Sequence, residues 1–115
     1  MVDYHSTLVN ALSAILPTYY EMILHSGIDT PCISYMEISN NVFSNGDTLG
    51  YSRLQYQVSV WSNSIAEMQK YSADVDDTLR SLGWTRVSSG EMYDNQSTMC
   101  RKILTFEALA LEQFN

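Results

Sequence analysis

The sequence predicts an α+β fold: a two-layer sandwich in which two helices pack on one face of a mainly antiparallel sheet of four or five strands. Two adjoining patterns lead to this prediction. The segment LQYQVSVWS (residues 54–62) alternates apolar and polar side chains, as a half-buried strand does. Residues 65–82 then place apolar side chains at intervals of three and four, which is the stripe of an amphipathic helix. A strand that runs into such a helix is typical of a sheet covered by helices.

Chain length and charge limit the classes of protein to consider. The chain has 115 residues and is expected to form one domain over residues 1–115. Its 13 acidic and 6 basic residues give a net charge of -7, which argues against a surface that neutralises nucleic-acid phosphates or docks on anionic membrane. No apolar run approaches the ~20 residues of a membrane-spanning helix. The acidity is typical of a soluble protein, and it also suits a surface that repels DNA or an acidic contact patch.

The N-terminal part is expected to form a helix and two strands. Residues 4–16 carry apolar side chains on one helical face, with Asp3 placed to cap the helix and Pro17 to end it. Thr18–Leu24 predicts a short edge strand, with a further helical turn as the alternative. Cys32–Ser39 predicts a strand with apolar residues on both faces, which suits a central position in the sheet.

The middle of the chain predicts a loop, the longest strand and the second helix. Asn40–Gly50 is polar and is expected to be a long connection. The strand Tyr51–Trp61 follows it. Ser64 and Glu67 then match a capping box, which begins a helix that runs to about Leu82 and is ended by Gly83.

The C-terminal part predicts two more strands. Trp84–Ser89 and Met99–Leu109 alternate in character, and the polar segment between them is expected to be a loop or hairpin turn. The last residues are expected to be a short tail. Because the strands are joined by short connections, antiparallel pairing is favoured.

The residues that carry chemistry in other proteins are scattered here. Cys32 and Cys100 are 68 positions apart, and His5 and His25 are equally dispersed, so neither a nucleophilic pair nor a zinc site is indicated. Both thiols are expected to be reduced and buried. The sequence has no phosphate-binding glycine motif. We therefore predict no catalytic residue, no cofactor and no metal ion, and a protein that is not an enzyme.

The acidic run on the second helix is predicted to be a solvated face. It contains Asp74, Asp76 and Asp77, with Asp76 spaced for an ion pair with Arg80. The run lacks the alternating ligands and the central glycine of a calcium loop.

The surface offers better candidates than any reactive group. The strand Tyr51–Trp61 has a polar face at Arg53, Gln55, Gln57 and Ser59, and Asn40–Gly50 would be a long arm, with a tight turn at its tip. The predicted contact residues, for a second copy or another partner, are Phe43, Asn45, Gly46, Asp47, Leu49, Tyr51, Arg53, Gln55 and Gln57. Further aromatic candidates, which could equally pack in the core, are Trp61, Tyr35 and Tyr93.

The order of these segments resembles the tail-completion family of tailed bacteriophages and related prophages, which includes tail-to-head joining and tail-terminator proteins. The resemblance covers roughly Leu8 to Phe106. It is carried by TPCISYMEIS, by the arm and strand SNGDTLGYSRLQYQVSVWS, by the helix AEMQKYSADVDDTLRSLGW, by Tyr93-Asp94 and by the segment Arg101–Phe106. The segment TYYEMILHSGID departs from the family pattern, which commonly has a short strand with a Val-Tyr pair there.

The resemblance implies a structural protein of the virion, without enzymatic activity and assembled in the host bacterial cytoplasm. Such proteins form a ring, expected to be a hexamer, at the head-proximal end of the tail. Their partners are further copies of the same chain, the tail tube protein and the head connector protein. DNA passes through the ring without specific binding, and a net charge of -7 would suit its lumen if the acids face inward. The alternatives are another head-tail connector or minor tail protein, or a small acidic regulatory module that binds a basic protein surface.

Overall fold

The computed structural model describes residues 4–20, 29–44, 49–94 and 99–113, which form two helices and five strands. Their order is α1 (Tyr4–Ser13), β1 (Thr18–Tyr20), β2 (Cys32–Ser44), β3 (Leu49–Ser62), α2 (Ile65–Ser81), β4 (Thr85–Asp94) and β5 (Met99–Gln113). The strands form one sheet in the order β1-β2-β3-β5-β4. All neighbours are antiparallel except β1 and β2. The predicted α+β architecture is confirmed.

The core lies between the two helices and one face of the sheet. α1 contributes Leu8 and Leu12, and α2 contributes Met68, Val75 and Leu79, all of them buried. The sheet side of this core consists of Ile33, Tyr35, Leu54, Tyr56, Val58, Val60, Cys100, Leu104, Phe106 and Ala108. On β3 these are the even-numbered residues, so the alternation read from the sequence correctly assigns the inner face.

Three strands are much longer than usual, and they make the molecule elongated. β2, β3 and β5 have 13, 14 and 15 residues, whereas strands of five or six are the norm. The molecule measures 54 × 25 × 22 Å. Its radius of gyration of 15.6 Å exceeds the value of about 13 Å for a compact domain of this size.

The predicted connection Asn40–Gly50 is wrong at both ends. β2 continues to Ser44 and β3 begins at Leu49, with Phe43 paired to Tyr51 across the hairpin. A regular antiparallel ladder satisfies the backbone groups of polar residues as well as those of apolar ones, so side-chain polarity does not end a strand. The predicted turn residues Asn45, Gly46 and Asp47 lie outside the described residues.

The ends of the other elements also differ from the prediction. α1 ends at Ser13 rather than at residue 16, and the chain then turns through hydrogen bonds from Ile15 and Leu16 to the Leu12 carbonyl. The predicted C-terminal tail is wrong, because β5 extends to Gln113. The loop or hairpin turn expected from residue 90 is wrong in its start, because β4 extends to Asp94, which pairs with Met99 on the antiparallel strand β5.

The predicted edge strand after α1 is confirmed in part. Thr18–Tyr20 forms β1, which lies at the edge of the sheet and pairs in parallel with β2. The rest of the predicted strand, residues 21–24, lies outside the described residues.

Helix α2 begins and ends where its local signals predict. The Ser64 hydroxyl accepts the Glu67 backbone N–H at 3.3 Å, as the capping box requires. The reciprocal half runs through Ser62, whose hydroxyl donates to the Glu67 carboxylate at 2.8 Å and accepts the Ser64 N–H at 3.0 Å. After the helix, Gly83 has a φ of +97°, a conformation that glycine adopts without steric penalty.

Besides its backbone ladder with β5, β4 makes two ionic contacts with the rest of the fold. Asp76 on α2 lies 3.6 Å from Arg80, as predicted, and also 3.6 Å from Arg86 on β4. Farther along the strand, Lys102 on β5 donates to Glu91 on β4 at 3.2 Å and to Gln69 on α2 at 3.1 Å. The amide of Gln69 in turn donates to Glu91, so this second contact joins α2, β4 and β5.

Replacing Leu79 with alanine should lower the free energy of unfolding by about 2–5 kcal/mol, because a fully buried leucine would leave a cavity in the core. Leu82→Ala is the matched control, since Leu82 is three residues away and 44% exposed. Urea denaturation should separate the two variants by at least ~1.5 kcal/mol. Equal losses would contradict the assignment of the core face of α2.

The Glu91 contact should make stability depend on pH in the acid range. Hydrogen bonds from Lys102 and Gln69 lower the pKa of Glu91 from its usual 4.5. The contribution of this contact to the free energy of unfolding is therefore present above pH 4.5 and is lost as pH falls through the lowered pKa of Glu91. The stability difference between the wild type and Glu91→Gln should shrink below pH 4.5 in low-salt denaturation series. A difference that stays constant in acid would refute the contact.

Candidate interaction surface on the open sheet face

One face of the sheet carries no described helix, and we refer to it as the open face. Residues that oppose one another across antiparallel strands share a face, so the partners of Ser59, which are Ser34 on β2 and Ile103 on β5, lie on the side away from Val58 and Val60. Its described side chains include Ser34, Met36, Ser39, Arg53, Gln55, Gln57, Ser59, Trp61, Met92, Arg101, Ile103, Thr105, Glu107 and Leu109.

A cluster around Arg101 occupies one end of the open face. The guanidinium of Arg101 lies over the Trp61 ring, with its central carbon 4.4 Å from the ring centroid, which is cation–π geometry. The Arg101 Nε donates to the Ser59 hydroxyl at 3.0 Å, and the Trp61 Nε1 donates to the Ser34 hydroxyl at 2.9 Å. Ser34 and Ser59 are fully buried although no described helix covers them. The two large side chains therefore shield them from solvent.

A second cluster surrounds Glu107 and lies nearer the β2–β3 hairpin. Arg53 forms an ion pair with the Glu107 carboxylate through its Nε. The same carboxylate oxygen accepts the Gln55 amide at 3.3 Å, and the Ser39 hydroxyl donates to the Gln55 carbonyl at 3.4 Å. One chain of contacts thus crosses β5, β3 and β2. Between the two clusters, Gln57 is half-buried with Met36 and Thr105 opposite.

The structure brings together three of the predicted contact residues. Arg53, Gln55 and Gln57 follow one another along the open face, as the alternation predicts. Phe43, Leu49 and Tyr51 lie on the strands of the hairpin beyond them.

Other residues of the predicted polar and aromatic sets differ in environment. Ser59 lies on the same face but is buried beneath Arg101, so it supports the surface from within. Tyr35 belongs to the core, where it packs against the rings of His5 and Tyr20. Tyr93 is exposed on β4.

The sequence did not single out Arg101 and Glu107, although both organise the open face. The segment RKILTFEAL does alternate, and this places Arg101 on one side of β5 together with Ile103 and Thr105. The missing information was the register of β5 on β3, which pairs Trp61 with Arg101 and Gln55 with Glu107. Neither pairing leaves a signal in the local sequence, because the partners are about 40 or more residues apart.

The remaining reactive groups are placed as structural residues. Both cysteines are free and buried, as predicted, and burial raises the pKa of the Cys32 thiol from its usual 9.0, which opposes formation of the nucleophilic thiolate. Within the described part of the chain, no three histidine, cysteine, aspartate or glutamate side chains cluster as metal ligands do. None of the described helices has the length and apolar character needed to cross a membrane.

Comparison with known proteins gives a likeness in structure. No protein-family model matches the chain, and no curated protein matches its sequence. Among solved structures, the fold is similar to a chain from the virion of a native gene transfer agent particle, with a TM-score of 0.63 and 16% sequence identity. The match covers 96% of this chain and 87% of that one. At this identity the likeness establishes a shared fold over nearly the whole molecule.

Replacing Arg101 with alanine should expose Trp61 and leave the Ser59 hydroxyl without the Arg101 hydrogen bond. We expect the tryptophan emission to shift to longer wavelength, quenching by acrylamide to increase, and stability to fall by about 1–3 kcal/mol. Trp84 is buried in the core and should not contribute to the change. Arg53→Ala, in the other cluster, serves as the control and should leave the emission unaltered; an equal shift in both variants would argue against the Arg101 cluster.

Proposed function

We propose that this chain is a structural component of a phage-like particle that caps the head-proximal end of the tail tube and joins the tail to the head connector. It acts as a ring of identical subunits, expected to be a hexamer, and performs no catalysis. The tail tube protein and the head connector protein are its partners, and DNA passes through the ring.

The observation that carries this proposal is the fold likeness to a chain of a gene transfer agent virion, which extends over 96% of this chain. That structure is named for the whole particle, so it supports a virion component in general. The position at the head-proximal end rests on the resemblance of the sequence to tail-completion proteins. The two indications differ in kind, because one compares backbones and the other compares sequence patterns.

The open face is a suitable contact surface for such a component. It is broad and polar, and its charged groups are already held by neighbours, as in the pairs Arg53–Glu107 and Arg101–Trp61. Because Glu107 neutralises Arg53, this side chain has little free charge with which to hold a DNA phosphate. We propose that Arg53, Gln55 and Gln57 contact a neighbouring subunit or a particle protein.

Particles made without this protein should be defective at the junction between head and tail. In cells that produce the particles, deletion of the gene should give heads filled with DNA and separate tails, seen by negative-stain electron microscopy. Overlong tail tubes would identify a terminator, since nothing stops tube growth. Tubes of normal length beside unattached full heads would identify a joining protein. Complete, joined particles in the absence of the chain would refute the proposal.

Complementation tests the open face in the same assay. The wild-type chain should restore joined particles, whereas Arg53→Glu should not, because it places a second carboxylate beside that of Glu107. Lys70→Glu is the control, since it reverses a charge of the same sign on the exposed side of α2. Both variants should be soluble and folded by circular dichroism, so that a loss of joining reports on the contact.

A further inference from the structure

Strand β4 is an edge strand of the sheet, and no described strand pairs with its outer backbone groups. Residues Thr85–Tyr93 are all exposed. The register of β4 with β5 is interrupted between Arg86 and Ser88 and is continuous from there to Asp94. An edge of this kind presents a row of N–H and C=O groups that another strand can pair with.

At the opposite edge of the sheet, only part of β2 is paired with a described outer strand. β1 pairs with β2 at Ile33–Tyr35, and beyond Tyr35 no described strand borders the outer edge of β2. After the irregularity between Glu37 and Ser39, β2 runs without interruption to Ser44. The segment Ser39–Ser44 is therefore close in length to the segment Ser88–Asp94 on β4.

Both segments lack three of the features that protect edge strands. Natural edges carry prolines, β-bulges or charged side chains, lysine above all, or they are very short. The segments SNNVFS (residues 39–44) and SSGEMYD (residues 88–94) contain no proline, no lysine and no internal irregularity. Met92 and Tyr93 add exposed apolar surface to β4, and the charge of Glu91 is already paired with Lys102.

We propose that the β4 segment Ser88–Asp94 pairs with the β2 segment Ser39–Ser44 of a second copy of this chain. The strand directions allow it. β2 and β5 both run opposite to β3, and β4 runs opposite to β5. In a sheet continued into the next copy, β4 is thus antiparallel to the neighbouring β2. Because the two segments lie on different sides of the molecule, the contact is heterologous and repeats from copy to copy, as a ring requires.

The two segments lie at different heights along the strands, which constrains the geometry of the ring. The β2 segment begins with Ser39 opposite Gln55 of β3 and continues toward the tip of the β2–β3 hairpin. The β4 segment begins with Ser88, which pairs with Thr105 and thus lies at the position of Gln57 along β3, and it continues toward the other end of the sheet. Neighbouring copies are therefore staggered by roughly 25 Å along the strands at about 3.3 Å per residue. A ring accommodates such a stagger by tilting its strands against the ring axis, as closed barrels do.

This inference rests on the proposed function for ring closure, but the pairing can be tested on the chain alone. The test uses two single-cysteine additions, Ser39→Cys and Met92→Cys, which both lie on the open face. The native Cys32 and Cys100 are 1% and 2% exposed, so the folded wild type should not react. A flexible bis-maleimide should cross-link an equal mixture of the two variants at least tenfold more than either variant alone. The double variant should give a ladder beyond the dimer on denaturing gels.

The control is Leu82→Cys, which is 44% exposed at the end of α2 and lies on neither edge strand, and should not cross-link to Ser39→Cys. Dimers of Met92→Cys alone would show that β4 pairs with itself and would overturn the proposal. So would the absence of cross-links both in the purified protein and in assembled particles. Cross-links in a protein whose deletion leaves particles joined would uphold the edge pairing and reject the proposed function. Joined particles that depend on this chain but give no cross-links would uphold the proposed function and reject the edge pairing.

Discussion

The antiparallel ladder between β3 and β5 is the constraint on which the rest of the structure depends. It runs from the pair of Leu49 with Gln113 to the pair of Ser62 with Cys100. On one side it aligns Val58 with Leu104 under the helices. On the other it brings Arg101 to Trp61 and Glu107 to Gln55. Core and open face are therefore two products of one register, and a slip by a single residue would exchange them.

The parts of the fold that could be predicted are those determined by neighbours in sequence. The limits of α2 follow from Ser64, Glu67 and Gly83, because each of these residues affects only the backbone of the nearest helical turn. The inner face of β3 follows from its alternation. The ends of the long strands could not be predicted in this way, because β2 and β5 continue through polar residues for as long as β3 offers a partner. Only the assembled sheet contains that information.

The residues of the candidate surface also fall into two groups, those that local sequence predicts and those that only the assembled sheet brings together. Arg53, Gln55 and Gln57 are found by alternation within one strand. Glu107 and Arg101, which hold or cover residues of that strand, belong to β5 and become neighbours only through the ladder. The prediction therefore identified a polar face without its organisation. It also expected Phe43 and Leu49 on a loop, whereas they lie on the strands β2 and β3.

The held side chains of the open face affect the thermodynamics of any contact made there. A flexible arginine or glutamine on a surface loses conformational freedom when a partner immobilises it, at a cost of about 0.5–1.5 kcal/mol per side chain. Here Arg53, Gln55 and Arg101 are already positioned by Glu107, Ser39, Ser59 and Trp61 in the isolated chain. Much of the ordering entropy is thus lost during folding rather than during association. Such a preorganised surface can bind a partner with less loss of entropy than its polar composition alone would suggest.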